Sequence, residues 1–374
     1  MNFLFSFARR SMPRQCAQIV VLATLALFLT SVDAKPRKKG KTPVSQRIDT
    51  RGENVNFLEW PGVAAFIDEM VAKQQFDQAE LRKVMRQVHY IDSAITLVKP
   101  APPSRPKNWQ AYRALVVEPV RINKGLQFWN QYGEALARAE ADYGVPAEII
   151  VAILGVETVY GKNTGNFRVL DVITTLAFAY PESPKRQERM AYFRGQLEQT
   201  LLLAREGNID PFSLLGSYAG AIGLPQFMPG SIRQFAVDYD ADGKIDLRRS
   251  PQDAIGSIAF FLQQHGWRRG EPVAFPATVR TDGNAAASAW QRYLNQGLVA
   301  KYSLNELQAA GVGSSPELPP GMNFGLVDLQ NGQEATEYWL GANNFFTITQ
   351  YNRSYFYAMS VMELGRAIRQ LRGP

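Results

Sequence analysis

The chain has 374 residues, 46% hydrophobic and 20% charged, which is the balance of a globular protein and excludes a disordered or polytopic membrane chain. At roughly 150 residues per domain, that length predicts two or three packed units. The net charge of +7 is local to Arg9, Arg10, Arg14 and the basic run at residues 35–41; residues 42–374 hold cations and anions in balance, which argues against a nucleic-acid footprint.

In chain order, the first expected element is a targeting segment. Three arginines precede the apolar run Ile19 to Leu29, and Val32, Asp33 and Ala34 put small residues where a signal peptidase reads them. The run is too short to span a bilayer. Residues 1–34 therefore read as a cleaved signal peptide and 35–55 as a basic linker, with periplasmic export and no membrane insertion after cleavage. Cys16 precedes the apolar run, so it is no lipoprotein acceptor, and the mature chain would hold no cysteine. That suits an oxidising compartment.

Asp77 with Glu80 forms a capping box, and the Pro-rich residues 99–107 predict an extended connector. An amphipathic pattern over 123–143 predicts one long helix. Pro146 then suits a first helical position ahead of AEIIVAILGVETVY. Further helices are expected at 172–180, 185–206, 230–237 and 251–265. From Pro272 the composition shifts, and FGLVDLQ, Asn331–Gly332 and QEATEYWLG spell a hairpin. A last helix should run from about Ser354 to Leu371. The chain thus reads as mainly α (α+β), with a smaller β lobe late in sequence.

Two histidines, His89 and His265, and no mature cysteine rule out a multi-histidine or thiolate zinc site. GVETVYGKN is no phosphate loop, because five residues separate Gly155 from Gly161 and Asn163 replaces Ser/Thr. No cofactor is expected for the chemistry, which would rest on carboxylates, amides and hydroxyls.

The stretch from Ile149 to Tyr160 is apolar nearly all round, the pattern of a buried helix, and Glu157 is its exception. Its helical neighbours Ile153, Leu154, Tyr160 and Gly161 cannot pair with a carboxylate. Lost hydration and the helix C-terminus would both raise its pKa, as a general acid needs. Spacing alone leaves a solvated carboxylate paired with Lys162 open. SYAGAIGLPQFMPGS, residues 217–231, is either a helix-connecting turn or a sugar-binding loop, with Gly220 and Gly223 for close approach, Gln226 as donor and acceptor, and Phe227 as an apolar face.

ILGVETVYGKNTG, AGAIGLPQFMPGSIRQFAVDYDADG, DAIGSIAFFLQQHGW and NNFFTITQYNRSYFYAM, in this order, resemble the lytic murein transglycosylase B family from about Phe57 to Leu371. The resemblance implies a catalytic region over 56–374. A lysozyme-like core would occupy about 140–268, with an additional α lobe, a small β lobe at about 270–350 and the C-terminal helix. It makes Glu157 the single acid/base and sets Ser217, Gln226, Phe227, Tyr351, Asn352 and Tyr357 around a peptidoglycan strand. The implied reaction cleaves the β-1,4 bond between N-acetylmuramic acid and N-acetylglucosamine without water, leaving 1,6-anhydromuramic ends. Asp171, the only competing second carboxylate, reads as an N-cap. Where relatives carry tyrosine this chain has Phe261, and a lipidated cysteine is missing. A hydrolytic muramidase and an inactive wall-binding scaffold are the alternatives, and cell-wall synthesis or remodelling proteins are the expected partners.

Asp238, Asp240, Asp242, Gly243 and Asp246 match the first half of a calcium loop, but Arg249 stands where an EF-hand needs Glu. The resemblance suggests a longer loop, residues 238–253, closed by Asp253. The candidate set for a structural calcium ion is Asp238, Asp240, Asp242, Lys244 and Asp253. Ser250, Pro251 and Asp253 equally spell a helix start.

Overall fold

The computed structural model describes residues 56–99, 106–280, 285–314 and 317–373. The expected signal peptide, the basic linker up to residue 55 and most of the Pro-rich connector lie outside them.

Four helices open the fold: α1 (Pro61–Gln74), α2 (Gln78–Met85), α3 (Asp92–Leu97) and α4 (Trp109–Val116). Asp77 caps α2, accepting from the Glu80 N–H at 2.8 Å, and so satisfies one of the donors a helix start leaves open. The single helix expected over 123–143 is two, α5 (Pro119–Gln131) and α6 (Gly133–Tyr143). Tyr132, at φ −115° and ψ 25°, leaves helical geometry between them. The apolar periodicity continues across this break, which is why the sequence hides it.

α7 (Ala147–Thr158) is the central helix. All its residues are buried except Glu148 and Glu157, in keeping with its unbroken apolar character. It packs against α5, α6, α11 (Pro251–Gln264) and α14 (Tyr355–Arg372). Between these run α8 (Val169–Ala179), α9 (Arg186–Glu206) and α10 (Pro229–Phe235), while α12 (Leu304–Ala309) and α13 (Asn343–Tyr351) belong to the later part of the chain. One apolar core joins these helices, α12 excepted, from Phe57 to Ile368.

Strands β1 (Phe167–Arg168) and β2 (Leu215–Gly216) form a small antiparallel pair. The β lobe is a sheet of order β4-β6-β7-β3-β5, built from β3 (Ala274–Val279), β4 (Tyr302–Ser303), β5 (Val312–Ser314), β6 (Asn323–Asn331) and β7 (Glu334–Gly341). The expected hairpin is β6–β7. Asn331 pairs with Glu334, so its two-residue loop is Gly332–Gln333, with Gly332 at φ 66°. Pro276 masks β3 as a strand in the sequence. A second core, including Trp290, Leu307, Phe324 and Leu340, fills this lobe. Among the described residues no helix is long and apolar enough to cross a membrane.

Candidate active site

Burial of α7 carries Glu157 into the last helical turn, half-buried. Its partner lies 200 residues away: the Tyr357 hydroxyl donates to Glu157 Oε1 at 2.7 Å. Tyr357 is fully buried on α14, so it supports the carboxylate from beneath and presents no face to solvent. Tyr351 stacks on it, ring centroids 6.2 Å apart and 12° from parallel, and donates to the Pro225 carbonyl at 2.5 Å. Burial first, and then the charge of Glu157, pushes the phenols of Tyr351, Tyr357 and Tyr112 upward, so all three remain O–H donors.

The chain leaves α7 through an unusual bend. Val159 (φ 53°), Tyr160 (φ 60°) and Gly161 (φ 88°) are three left-handed residues in succession, and the first is β-branched. Such backbone costs roughly 1–3 kcal/mol and persists only where its surroundings impose it. Thr158 helps impose it, since its hydroxyl donates to the Leu224 carbonyl at 3.0 Å and accepts from the Gly161 N–H at 2.9 Å.

Leu224 belongs to the 217–231 loop, so the expected site segments do meet. Gln226, itself left-handed at φ 51°, donates its amide to the Thr164 and Gly223 carbonyls at 3.2 and 2.8 Å. Ser217 is half-buried, and its hydroxyl accepts from the Ala221 N–H at 3.1 Å. Phe227 departs from the expected exposed sugar face. It is 3% exposed, because the Ile222–Phe227 bridge turns its ring inward to Phe261 and Tyr351, with centroids at 5.5 and 5.7 Å. Phe261 also lies in the interior, stacked on His265 at 4.0 Å. Asn352 directly follows Tyr351, is 6% exposed, and its Oδ1 has no partner in the described structure.

Asp171 is the third residue of α8 and not its N-cap, which is Arg168. It is buried, accepts from Arg168 Nε at 2.6 Å and from the His89 N–H at 3.1 Å, and so joins α8 to the segment ahead of α3. Burial raises its pKa, and the Arg168 contact pulls the other way.

Of the five residues in the candidate metal set, the fold brings together three. Asp238, Asp240 and Asp253 each offer an oxygen within 4.8 Å of the others. These are hard donors suited to calcium. Asp242 instead turns to its own loop and accepts from the Lys244 N–H at 2.8 Å, so its carboxylate stays out of the cluster. Asp253 starts α11 as the helix reading expects, its N–H donating to the Ser250 hydroxyl at 3.1 Å, and its oxygens accept from the Tyr239 and Asp246 N–H groups at 2.7 and 2.8 Å.

The helical core with Glu157 half-buried at the end of α7, bonded by Tyr357 beside a glycine-rich loop, is of the lysozyme-like kind, and the comparisons with known proteins specify which. A family model described as Transglycosylase SLT domain matches residues 59–366. The membrane-bound lytic murein transglycosylase B of Escherichia coli (strain K12) is 42% identical over 327 residues, 85% of this chain and 85% of that protein. The lytic transglycosylase SltB1 of Pseudomonas aeruginosa superposes with a TM-score of 0.75 at 42% identity, covering 84% of this chain and 98% of that one. The Escherichia coli lytic transglycosylase Slt35, solved in complex with calcium, gives a TM-score of 0.73 at 41% identity, covering 86% and 96%. The chain belongs to the lytic murein transglycosylase B family and is a peptidoglycan-cleaving lyase.

Proposed function

We propose that Glu157 alone serves as acid and then base in the cleavage of the N-acetylmuramic acid to N-acetylglucosamine bond. The carboxyl donates its proton to the leaving glycosidic oxygen while the sugar's acetamido oxygen supports C1. The resulting carboxylate takes the proton of the C6 hydroxyl, whose oxygen bonds to C1 and closes the 1,6-anhydro ring. Protons balance and no water is consumed. A two-carboxylate glycosidase needs a second acid flanking the bond. The observation that carries the reading is the environment of Glu157: the buried Tyr357 phenol donates to it at 2.7 Å, while the competing carboxylate, Asp171, is spent on Arg168.

Tyr357 holds the carboxylate in place and stabilises its ionised form between the two proton transfers. The unpartnered Oδ1 of Asn352 is an acceptor suited to a sugar amide or hydroxyl, and Ser217 and Gln226 line the same loop system. Phe227 acts from below by supporting Tyr351. The acidic loop takes a structural calcium ion on Asp238, Asp240 and Asp253, with no part in the chemistry. The leader directs the enzyme to the periplasm, where its partners are glycan strands and wall-building or remodelling proteins.

The test is Glu157→Gln, which keeps shape and removes the proton. We expect fragment release from purified murein to fall about 10²–10⁴-fold, with the melting temperature unchanged and sacculus binding retained. Wild-type release in that variant would refute the assignment.

A further inference from the structure

Among the described residues, Arg121 is the only lysine or arginine more than nine-tenths buried. Taking a guanidinium out of water is costly unless its donors are satisfied, so its partners explain its presence. Nε donates to the Gly155 carbonyl at 2.9 Å, and one terminal nitrogen donates to the Leu115 and Val116 carbonyls at 2.7 and 2.9 Å. Gly155 lies in the last turn of α7, and Leu115 and Val116 lie in the last turn of α4. Two helix C-termini, each carrying partial negative charge, therefore converge on one cation, Gly155 O also accepting from the Val159 N–H at 3.2 Å.

α7 carries Glu157 two residues beyond Gly155, and α4 packs against α14, which carries the Tyr357 that donates to Glu157. The nearest anion to Arg121, Glu118 at 3.8 Å, already caps α5 by accepting from the Val120 and Arg121 N–H groups at 2.7 Å each. Arg121 is thus more than half of a salt bridge. The same turn is wedged by Tyr160, whose hydroxyl sits so close to Gly125 and Gly155 that an added Cβ at either would collide with it. The left-handed bend after Glu157 is therefore held by shape on one side and by a charged fork on the other.

We propose that Arg121 is a positioning residue for the reaction: by gathering the carbonyl ends of α4 and α7 it fixes the helix end that carries Glu157 against the α4–α14 packing that carries Tyr357. The proposal rests on Glu157 being the acid/base, and it concerns how that group is held. Lysine supplies charge without the planar fork, and methionine supplies only volume.

Turnover and KM should be measured on a soluble four-sugar murein fragment for wild type, Arg121→Met, Arg121→Lys and Glu157→Gln, with melting followed by circular dichroism. At temperatures where each variant is folded, Arg121→Met should lower kcat on the order of ten- to hundredfold with KM within about twofold, and Arg121→Lys should recover part of it. A kcat within about twofold of wild type in folded Arg121→Met, or a loss confined to KM, would overturn the proposal. If Arg121→Met does not fold, Arg121→Lys decides alone: reduced kcat at unchanged KM supports positioning, and unchanged kcat overturns it. Full activity in Glu157→Gln would instead remove the acid/base reading, and this proposal with it.

Discussion

The end of α7 and the aspartate loop at 238–253 are tied to the same residue by opposite means. Thr158 donates to the Leu224 carbonyl at 3.0 Å, and the Leu224 N–H donates to the Leu247 carbonyl, inside the aspartate loop, at 2.8 Å. On the α7 side a single carboxylate is set among phenols and packed rings, with the backbone forced through three left-handed residues. On the other side several carboxylates are crowded together and satisfied mainly by backbone N–H groups. In the proposed function the lone acid carries proton transfer, and the acidic cluster holds shape, strengthened by a cation.

Separating the two sides experimentally sharpens the contrast. Asp253→Ala strips acceptors from the Tyr239 and Asp246 N–H groups in a buried position, and should cost about 3 kcal/mol of stability by denaturant midpoint. Turnover of the folded variant should stay within about twofold of wild type. Calcium should raise the wild-type melting temperature, by about 2.7 kcal/mol of stability at a hundredfold excess over its Kd, and leave the variant unmoved. A chelator without effect on wild type would count against the site.

Tyr357→Phe should do the reverse. Losing a hydrogen bond to a charged group, at about 1.5–3 kcal/mol, should lower kcat roughly ten- to hundredfold while the melting temperature shifts little. Equal turnover would mean that the phenol is only packing.

The smallest effect concerns His265, behind the aromatic stack. Burial lowers its pKa below the ordinary histidine value, and its ring contact to the Phe261 carbonyl opposes this. The unfolded chain therefore binds a proton more readily than the folded one. Stability is complete above the unfolded pKa, near 6.5, and declines as pH falls toward the depressed folded value. Urea midpoints taken from pH 7.5 to 5.5 should show this decline, and His265→Leu should flatten it. An identical slope in that variant would exclude the histidine as its source.

What the sequence discloses follows the range of the interaction. α7 is legible because an apolar surface on every side has only one explanation in a globular chain, and Glu157 stands out against it. The Asn331–Gly332 turn and the Asp77 cap are local chemistry and appear as expected, with the hairpin loop shifted by one residue. The inward turn of Phe227, the break at Tyr132 and the Asp171 pairing all depend on distant segments. Arg121 is the clearest case. On an amphipathic helix an arginine reads as solvated surface, and only the convergence of the carbonyl ends of α4 and α7 on it occupies its donors.

Digesting murein in heavy-oxygen water tests the closure of C6 onto C1 most directly. If Glu157 returns its proton vacancy to the sugar's own hydroxyl, the released muramic ends will be anhydro and carry no label. One labelled oxygen per cleaved bond, on reducing ends, would show that water attacks C1 and would make the enzyme a hydrolytic muramidase.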